Sequence, residues 1–451
     1  MTQAVVQDVI ASSVNRVVVG LGVTGLSCAR FLHKSGQPFA IVDTREKPPG
    51  LAQVQAEMPD VPVYLGEFPA ELLTGADELI VSPGIAPDDQ MLAPALEAGA
   101  TLVGDIDLFV AAAQAPVVGI TGSNAKSTVT ELVGAMALEA GLDVGVGGNL
   151  GTPALDLLAP ARDLYVLELS SFQLERAGNL GLEVATVLNV SADHLDRHGN
   201  LVRYHQAKHR IFQGCRKVVV NRSDPLTVPL VPEDVEVVSW RLGEPELHGF
   251  GLRDGYLCYG AEPLLAIDEL GIVGLHNQAN ALAALALGRA AGLPVDAMCR
   301  ALKLFRGLPH RCELVARLND VSYVNDSKGT NVGATQAALA GLGGERDVLL
   351  IAGGQGKGAD FSAMRRVVQQ HCKHVLLIGE DAALLEEALG PVTEILRCED
   401  MAEAVRNAAA LAAPGETILL SPACASFDMY PGFAARGDAF REAVSMLEVD
   451  A

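Results

Sequence analysis

Lys126 and Ser127 are the residues best placed by type and spacing to do chemistry. They open an apolar-periodic helix (Val129, Leu132, Val133, Met136) after a strand-like run of Val117, Val118 and Ile120 and a turn of Gly122, Ser123, Asn124 and Ala125. A strand, a glycine turn and a helix N-terminus with a lysine and a hydroxyl make a phosphate cradle. Backbone N–H groups and the helix dipole face the anion, the ammonium neutralises it, and the hydroxyl of Ser127 can hold Mg²⁺. The spacing is not the common one. Ala125 stands where a glycine usually precedes the lysine, and Ile120 where another usually stands five residues earlier. An ordinary strand–turn–helix crossover is the plain alternative.

Other groups fall at the ends of strand-like runs. Gly20, Gly22 and Gly25, with Val23 and Thr24 between them, form a G-x-G-x-x-G turn, and Asp43 closes the next strand where an acid meets a ribose hydroxyl. This pattern suits a dinucleotide or any other diphosphate. Ser82, Pro83 and Gly84 form a further turn at a strand end. Glu168 interrupts an apolar run beside the phosphate loop; it is either a strand-end acid facing solvent or, as the nearby loop favours, a Mg²⁺ ligand. Asp193, His194, Asp196 and His198 crowd six residues, which is either a polar surface loop or a catalytic or metal-binding turn. Lys208 lies in a helix and by spacing alone is a solvated charge. Asn277 and Asn280, three apart on one helical face, either cap that helix or reach a base or ribose.

The elements that must position these residues read as repeated βα units. A strand, glycine turn and helix cover about residues 17–34, and the first unit closes near Gly104. A helix from Asp105 leads into the phosphate loop, and residues 218–275 mix short strands with turns such as Arg253-Asp254-Gly255, which suggests hairpins added to a parallel sheet. Residues 308–311 read as a hinge, after which polar residues again follow successive strands. Three domains result: 1–104, 105–309 and 310–451.

With 451 residues and 49% hydrophobic composition, the chain can bury several cores. A net charge of −22 without a basic block argues against nucleic acid and anionic membrane surfaces as partners. Residues 1–13 lack the pattern of an export signal, no run is long enough to span a bilayer, and eight scattered cysteines suit reduced thiols in the cytoplasm.

Seven motifs in order carry a resemblance: Thr121-Gly-Ser-Asn-Ala-Lys-Ser-Thr, Leu167-Glu-Leu-Ser-Ser-Phe-Gln, Asp193-His-Leu-Asp-Arg, His276-Asn-Gln-Ala-Asn, Leu308-Pro-His-Arg, Asn325-Asp-Ser-Lys and Ser421-Pro-Ala-Cys-Ala-Ser-Phe-Asp. Over essentially its whole length the chain resembles the Mur ligases of peptidoglycan synthesis, and among them the branch that adds D-glutamate. The resemblance implies three α/β domains with mainly parallel sheets and flanking helices: Rossmann-like, P-loop ATPase-like with added β hairpins, and Rossmann-like again. It implies that ATP phosphorylates the terminal carboxylate of UDP-N-acetylmuramoyl-L-alanine and that D-glutamate attacks the acyl phosphate; a monomer is expected. Gly122, Ser123, Asn124, Ala125, Lys126, Ser127 and Thr128 would hold phosphates, with Asn277, Asn280, Arg311 and Asp326 elsewhere on the nucleotide. Ser127 and Glu168 would bind one Mg²⁺, and His194 and Lys208 a second, with Lys208 carbamylated by CO₂. Gly22, Val23, Thr24, Asp43, Thr44, Arg45, Ser82, Pro83 and Gly84 would meet the UDP end, and Asn149, Ser170 and Gln173 the muramoyl end. Thr330, Lys357, Ser426, Phe427 and Phe433 would form the D-glutamate site, Lys357 pairing with a carboxylate. The sequence departs from the family pattern at Ala125 and at Ala192, where an acid often precedes the Asp-His pair.

Three readings compete. A dehydrogenase would use residues 20–25 and Asp43 but leaves the Lys126 loop without a role. A folylpolyglutamate-type ligase shares the central and C-terminal design but not the N-terminal glycine turn. A non-catalytic nucleotide switch leaves the polar strand ends of the third domain idle.

Overall fold

A computed structural model describes residues 16–449 except 68, 69 and 273. The segment read for an export signal lies outside the described residues.

β-Branched runs make the strands. Arg16–Val19, Val117–Thr121 and Val348–Gly353 are almost wholly buried without alternation, as parallel strands covered on both faces must be. The first sheet is all parallel, in the order Val63–Leu65, Ala40–Asp43, Arg16–Val19, Glu78–Val81, Thr101–Val103. The second has nine strands, with Val117–Thr121 lying between Leu164–Glu168 and Val184–Val187.

The added strands are only partly hairpins. Lys217–Asn221, Glu236–Trp240 and Gly249–Arg253 extend the parallel sheet, and only Tyr256–Tyr259 runs antiparallel to its neighbours on both sides. The expected Arg253-Asp254-Gly255 turn is there. Asp254 (φ 50°) and Gly255 (φ 81°) form a two-residue connection in the left-handed region, which suits the twist of a hairpin.

The third sheet also departs from a simple αβ alternation. It starts with an antiparallel edge strand, Glu313–Leu318, followed by parallel strands in the order Val321–Asn325, Thr417–Leu420, Val348–Gly353, Cys372–Ile378, Glu394–Arg397.

The cores join the sheets unequally. Helices Val23–Lys34 and Asp105–Ala112 bury Leu26, Ala29, Leu32, Ile106 and Phe109 in one cluster with Leu155, Leu157 and Tyr165 of the second sheet's layer. Ser27 Oγ also donates to Asp156 Oδ1 at 2.7 Å. Two clusters flank the third sheet, and neither includes a residue of the first two. Among the described residues no helix is long and apolar enough to cross a membrane. All eight cysteines are unpaired.

Candidate active site

The phosphate loop leaves strand Val117–Thr121 of the second sheet and is braced from the end of its neighbour, Val184–Val187. Ser123 N donates to Asn189 O (3.0 Å) and Asn124 N to Asn189 Oδ1 (2.8 Å), while Ser123 Oγ donates to Ser191 O (3.0 Å). Ala125 caps helix Lys126–Glu139 at φ 68°, a left-handed conformation that strains an L side chain. Ser127 Oγ donates to Glu168 Oε2 (2.5 Å), and Asn149 Nδ2 to Glu168 Oε1 (2.7 Å). Burial would raise the Glu168 carboxyl, but Lys126 and the bonds from Ser127 and Asn149 outweigh it and hold it below the usual carboxylate range.

Two lysines converge on one carbonyl. Lys126 Nζ donates to Gly122 O (2.9 Å) and Ser123 O (3.0 Å), and Lys208 Nζ donates to the same Gly122 O at 2.8 Å. Lys208 is 1% exposed and its ammonium lies 4.5 Å from the centre of the Tyr204 ring. Burial, reinforced by the charge of Lys126, pushes Lys208 well below the ordinary lysine range. Its helix spacing suggested a solvated charge. The fold instead makes it an interior amine facing the phosphate loop.

The Asp193–His194 turn faces the third domain. Asp193 accepts from Lys357 Nζ (3.0 Å), Asn331 Nδ2 (3.2 Å) and the His194 N–H (2.9 Å). Burial opposes its ionisation, yet Lys357 and His194 keep its carboxyl below the ordinary range. The His194 backbone is left-handed (φ 51°), its ring packs edge-on against Phe172 (4.8 Å), and burial lowers its pKa against the pull of Asp193. From the third domain Arg311 Nη2 donates to Ser127 Oγ (2.6 Å), and Asn331 Nδ2 donates to Asn124 Oδ1 (3.1 Å).

Two cavities collect much of the expected set. One of about 680 Å³ is lined by Asn124, Ala125, Thr128, Asn277, Asn280, Arg311 and Asp326. The other, about 480 Å³, is lined by Gly22, Val23, Thr24, Asp43, Thr44, Arg45, Ser82, Pro83 and Gly84.

Three family models cover the chain in order: the Mur ligase MurD-like N-terminal domain over residues 14–104, the Mur ligase middle domain over 120–288, and the Mur ligase glutamate ligase domain over 310–424. The chain belongs to the Mur ligase family. It is 55% identical to the UDP-N-acetylmuramoylalanine–D-glutamate ligase of Pseudomonas aeruginosa over 98% of this chain and 100% of that protein. The Acinetobacter baylyi protein of the same name is 51% identical over 96% and 98%. Among solved structures, a pseudomurein peptide ligase type C from Methanothermus fervidus superposes with a TM-score of 0.63 at 18% identity, covering 96% of this chain and 100% of that one. MurF ligase from Thermotoga maritima in complex with ADP does so at 0.59 and 17%, covering 97% and 96%.

In this Mur ligase several expected residues are engaged internally. Asp43 accepts from Leu21 N (2.7 Å) and is gripped by the Arg45 guanidinium at 2.6 and 2.9 Å, so it braces the glycine turn. Ser170 and Gln173 form a helix capping box, and Gln173 Nε2 donates to Asp105 Oδ2 at 2.8 Å. Neither lines the two cavities. Ser426 is buried, Phe427 is 71% exposed, Phe433 stacks on Lys328 at 3.9 Å, and neither Thr330 nor Lys357 lines either cavity.

Sequence reasoning missed residues of the site's frame. Lys328 lines the larger cavity, where burial lowers it to about 8. Its place in Asn325-Asp-Ser-Lys was a usable signal. Arg436, 1% exposed, donates to Ser327, Gly353, Cys424 and Ala425 and so ties three strand-end loops together. No local pattern marked it.

Proposed function

We propose that this Mur ligase joins D-glutamate to UDP-N-acetylmuramoyl-L-alanine with consumption of ATP, through an acyl phosphate. Full-length identity above 50% to ligases of that name supports the substrates. The observation that carries the chemistry is the meeting of Lys126, Ser127, Glu168 and Arg311, from two domains, at one helix N-terminus.

A carboxylate oxygen attacks the γ-phosphorus and ADP leaves. The amine of D-glutamate then attacks the acyl carbon, phosphate leaves, and the amine gives up a proton. A poor leaving group is thereby exchanged for a good one. Because the first step brings anion to anion, the protein's task is neutralisation and alignment. The loop amides after Thr121, the ammonium of Lys126 and the guanidinium of Arg311 serve it in this reading. Asn277, Asn280 and Asp326 serve the nucleoside end, and the smaller cavity serves UDP. Lys357 and Ser426 serve the acceptor, with Thr330, Phe427 and Phe433 around them.

Hard oxygen donors suit magnesium, and Ser127 with ionised Glu168 offers two that already converge, so these residues would hold one ion. His194, kept neutral by burial, and Lys208 as a carbamate would hold a second. A carbamate would give Lys208 the anionic oxygen donors that a magnesium ion takes. Lys208 fits that modification. Burial lowers the Lys208 pKa, which favours its neutral amine, the form that adds to CO₂ with loss of a proton. Bound magnesium would offset phosphate charge.

We place the domain boundaries after residues 104 and 309, and the chain in the cytoplasm as a monomer.

The test is phosphate release from ATP with UDP-N-acetylmuramoyl-L-alanine and one acceptor amino acid at a time. One phosphate per amide with D-glutamate, and none with L-glutamate, is expected. Release independent of D-glutamate would refute the reading, and dependence on a folate would turn it to the folylpolyglutamate alternative.

A further inference from the structure

Residues 82–85 form one wall of the smaller, N-terminal cavity, and Ser82 Oγ ties them to the glycine turn by donating to Gly20 O at 2.9 Å. Yet every backbone carbonyl from Val81 to Ile85 accepts from the central domain. Arg176 Nη1 donates to Val81 O (2.9 Å) and Ser82 O (3.0 Å), and its Nη2 to Pro83 O (3.3 Å) and Ile85 O (2.7 Å). Arg197 Nη1 donates to Gly84 O (3.3 Å), and its Nη2 to Pro83 O (3.4 Å) and Ile85 O (2.8 Å). Glu175 lies between the two, 2.5 Å from Arg197 and 3.5 Å from Arg176.

The clamp reaches the opposite end of the site. Arg197 belongs to the four-residue helix Leu195–His198 that His194 caps, and its N–H donates to His194 O at 3.1 Å. Its guanidinium lies over the Phe172 ring at 5.1 Å, the ring against which His194 packs. The Arg176 side chain is fully buried, so the carbonyls it serves have no water to replace it. Two rigid guanidinium forks thus fix the shape of a wall of one site and belong to the frame of another.

We propose that Arg176 and Arg197 are positioning residues that couple the N-terminal cavity to the Asp193–His194 turn, converting the grip on the uridine end of the substrate into alignment of that turn. The inference rests on the substrate reading above. Its logic is that binding energy far from the reacting atoms is used to orient groups beside them.

Uridine diphosphate alone tests it, with amide hydrogen exchange as the readout. In the wild-type full chain the nucleotide is expected to slow exchange in residues 193–198 as well as in residues 20–25 and 82–85. In Arg197→Lys, which keeps the charge but loses the fork, and in Arg176→Met, slowing is expected to persist at 20–25 and to be lost at 193–198. Protection at 193–198 that survives in both variants, or is missing in the wild type with nucleotide bound, overturns the coupling. No binding of uridine diphosphate by the wild type would instead sink the substrate reading. Arg197 is partly exposed, so its variant decides the question even where Arg176→Met fails to fold, which thermal melting reports.

Discussion

Ala125 holds a position where glycine would be unstrained. Its left-handed φ of 68° falls where the family pattern has a glycine before the lysine. Ala125→Gly is expected to stabilise the fold by up to about 1 kcal/mol, since relief of the strain exceeds the extra chain entropy. Chemical denaturation with and without ATP would show whether the nucleotide uses the strained geometry. Lys208 raises a different question. Lys208→Ala is expected to lose nearly all turnover and regain part with small added carboxylates, which replace the proposed carbamate. Wild-type-like turnover of the unsupplemented variant would end that role. Asp326 is pushed up to about 6 by burial, against the pull of the Ser421 hydroxyl and Arg311. A raised carboxyl favours the fold below the unfolded value and loses that contribution as pH rises through the folded one. The stability of Asp326→Asn relative to wild type is therefore expected to improve by about 2 kcal/mol between pH 4 and pH 7. A pH-independent difference in melting would contradict the shift.

Element ends carry most of the cross-domain contacts. Helix Val332–Leu342 is capped by Asn331, whose Oδ1 accepts from Ala334 N at 2.9 Å while its Nδ2 reaches Asn124 and Asp193. One side chain thus ends a helix in the third domain and touches two loops of the second. Asn331→Ala is expected to destabilise the third domain by about 1 kcal/mol through the lost cap and to raise KM for ATP or D-glutamate as well. Asn331→Asp should restore the cap but not the contacts, because a carboxylate cannot donate and would face Asp193. Melting and steady-state kinetics of the two variants separate the roles. Strain follows the same pattern. Ala125, His194, Lys357 and Ala423 all adopt positive φ at the ends of strands or starts of helices around the site, as strained backbone tends to do where loops are held by their surroundings.

At the scale of the molecule the two interdomain contacts differ in kind. The first and second sheets share an apolar cluster, whereas the third domain meets the second through Lys357–Asp193, Asn331–Asn124 and Arg311–Ser127. Apolar contacts of the first kind persist in salt, while ion pairs weaken. Movement about residues 308–311 is therefore expected, with a radius of gyration that grows in the free enzyme as salt rises and falls when ATP and the UDP substrate bind. Superimposable scattering profiles in all three conditions would rule this motion out.

The chemical core was legible in the sequence because it is local. Strand, turn, Lys126 and Ser127 are contiguous, and a parallel strand's carboxyl end fixes where Glu168 must emerge. The turn at Asp254 and Gly255 and the replacement of glycine by Ala125 were legible for the same reason: turn chemistry depends on neighbours in the chain. Tertiary structure alone decided what depends on distant partners. Burial and the nearby charge of Lys126 turned Lys208 from an apparent surface charge into an interior amine. Internal hydrogen bonding engaged Asp43 beside its cavity and turned Gln173 away from both cavities, and nothing adjacent in sequence announced that Arg176 and Arg197 would meet on the carbonyls of residues 81–85. Charge state and hydrogen-bond partnership are properties of the folded environment, which no single stretch of chain contains.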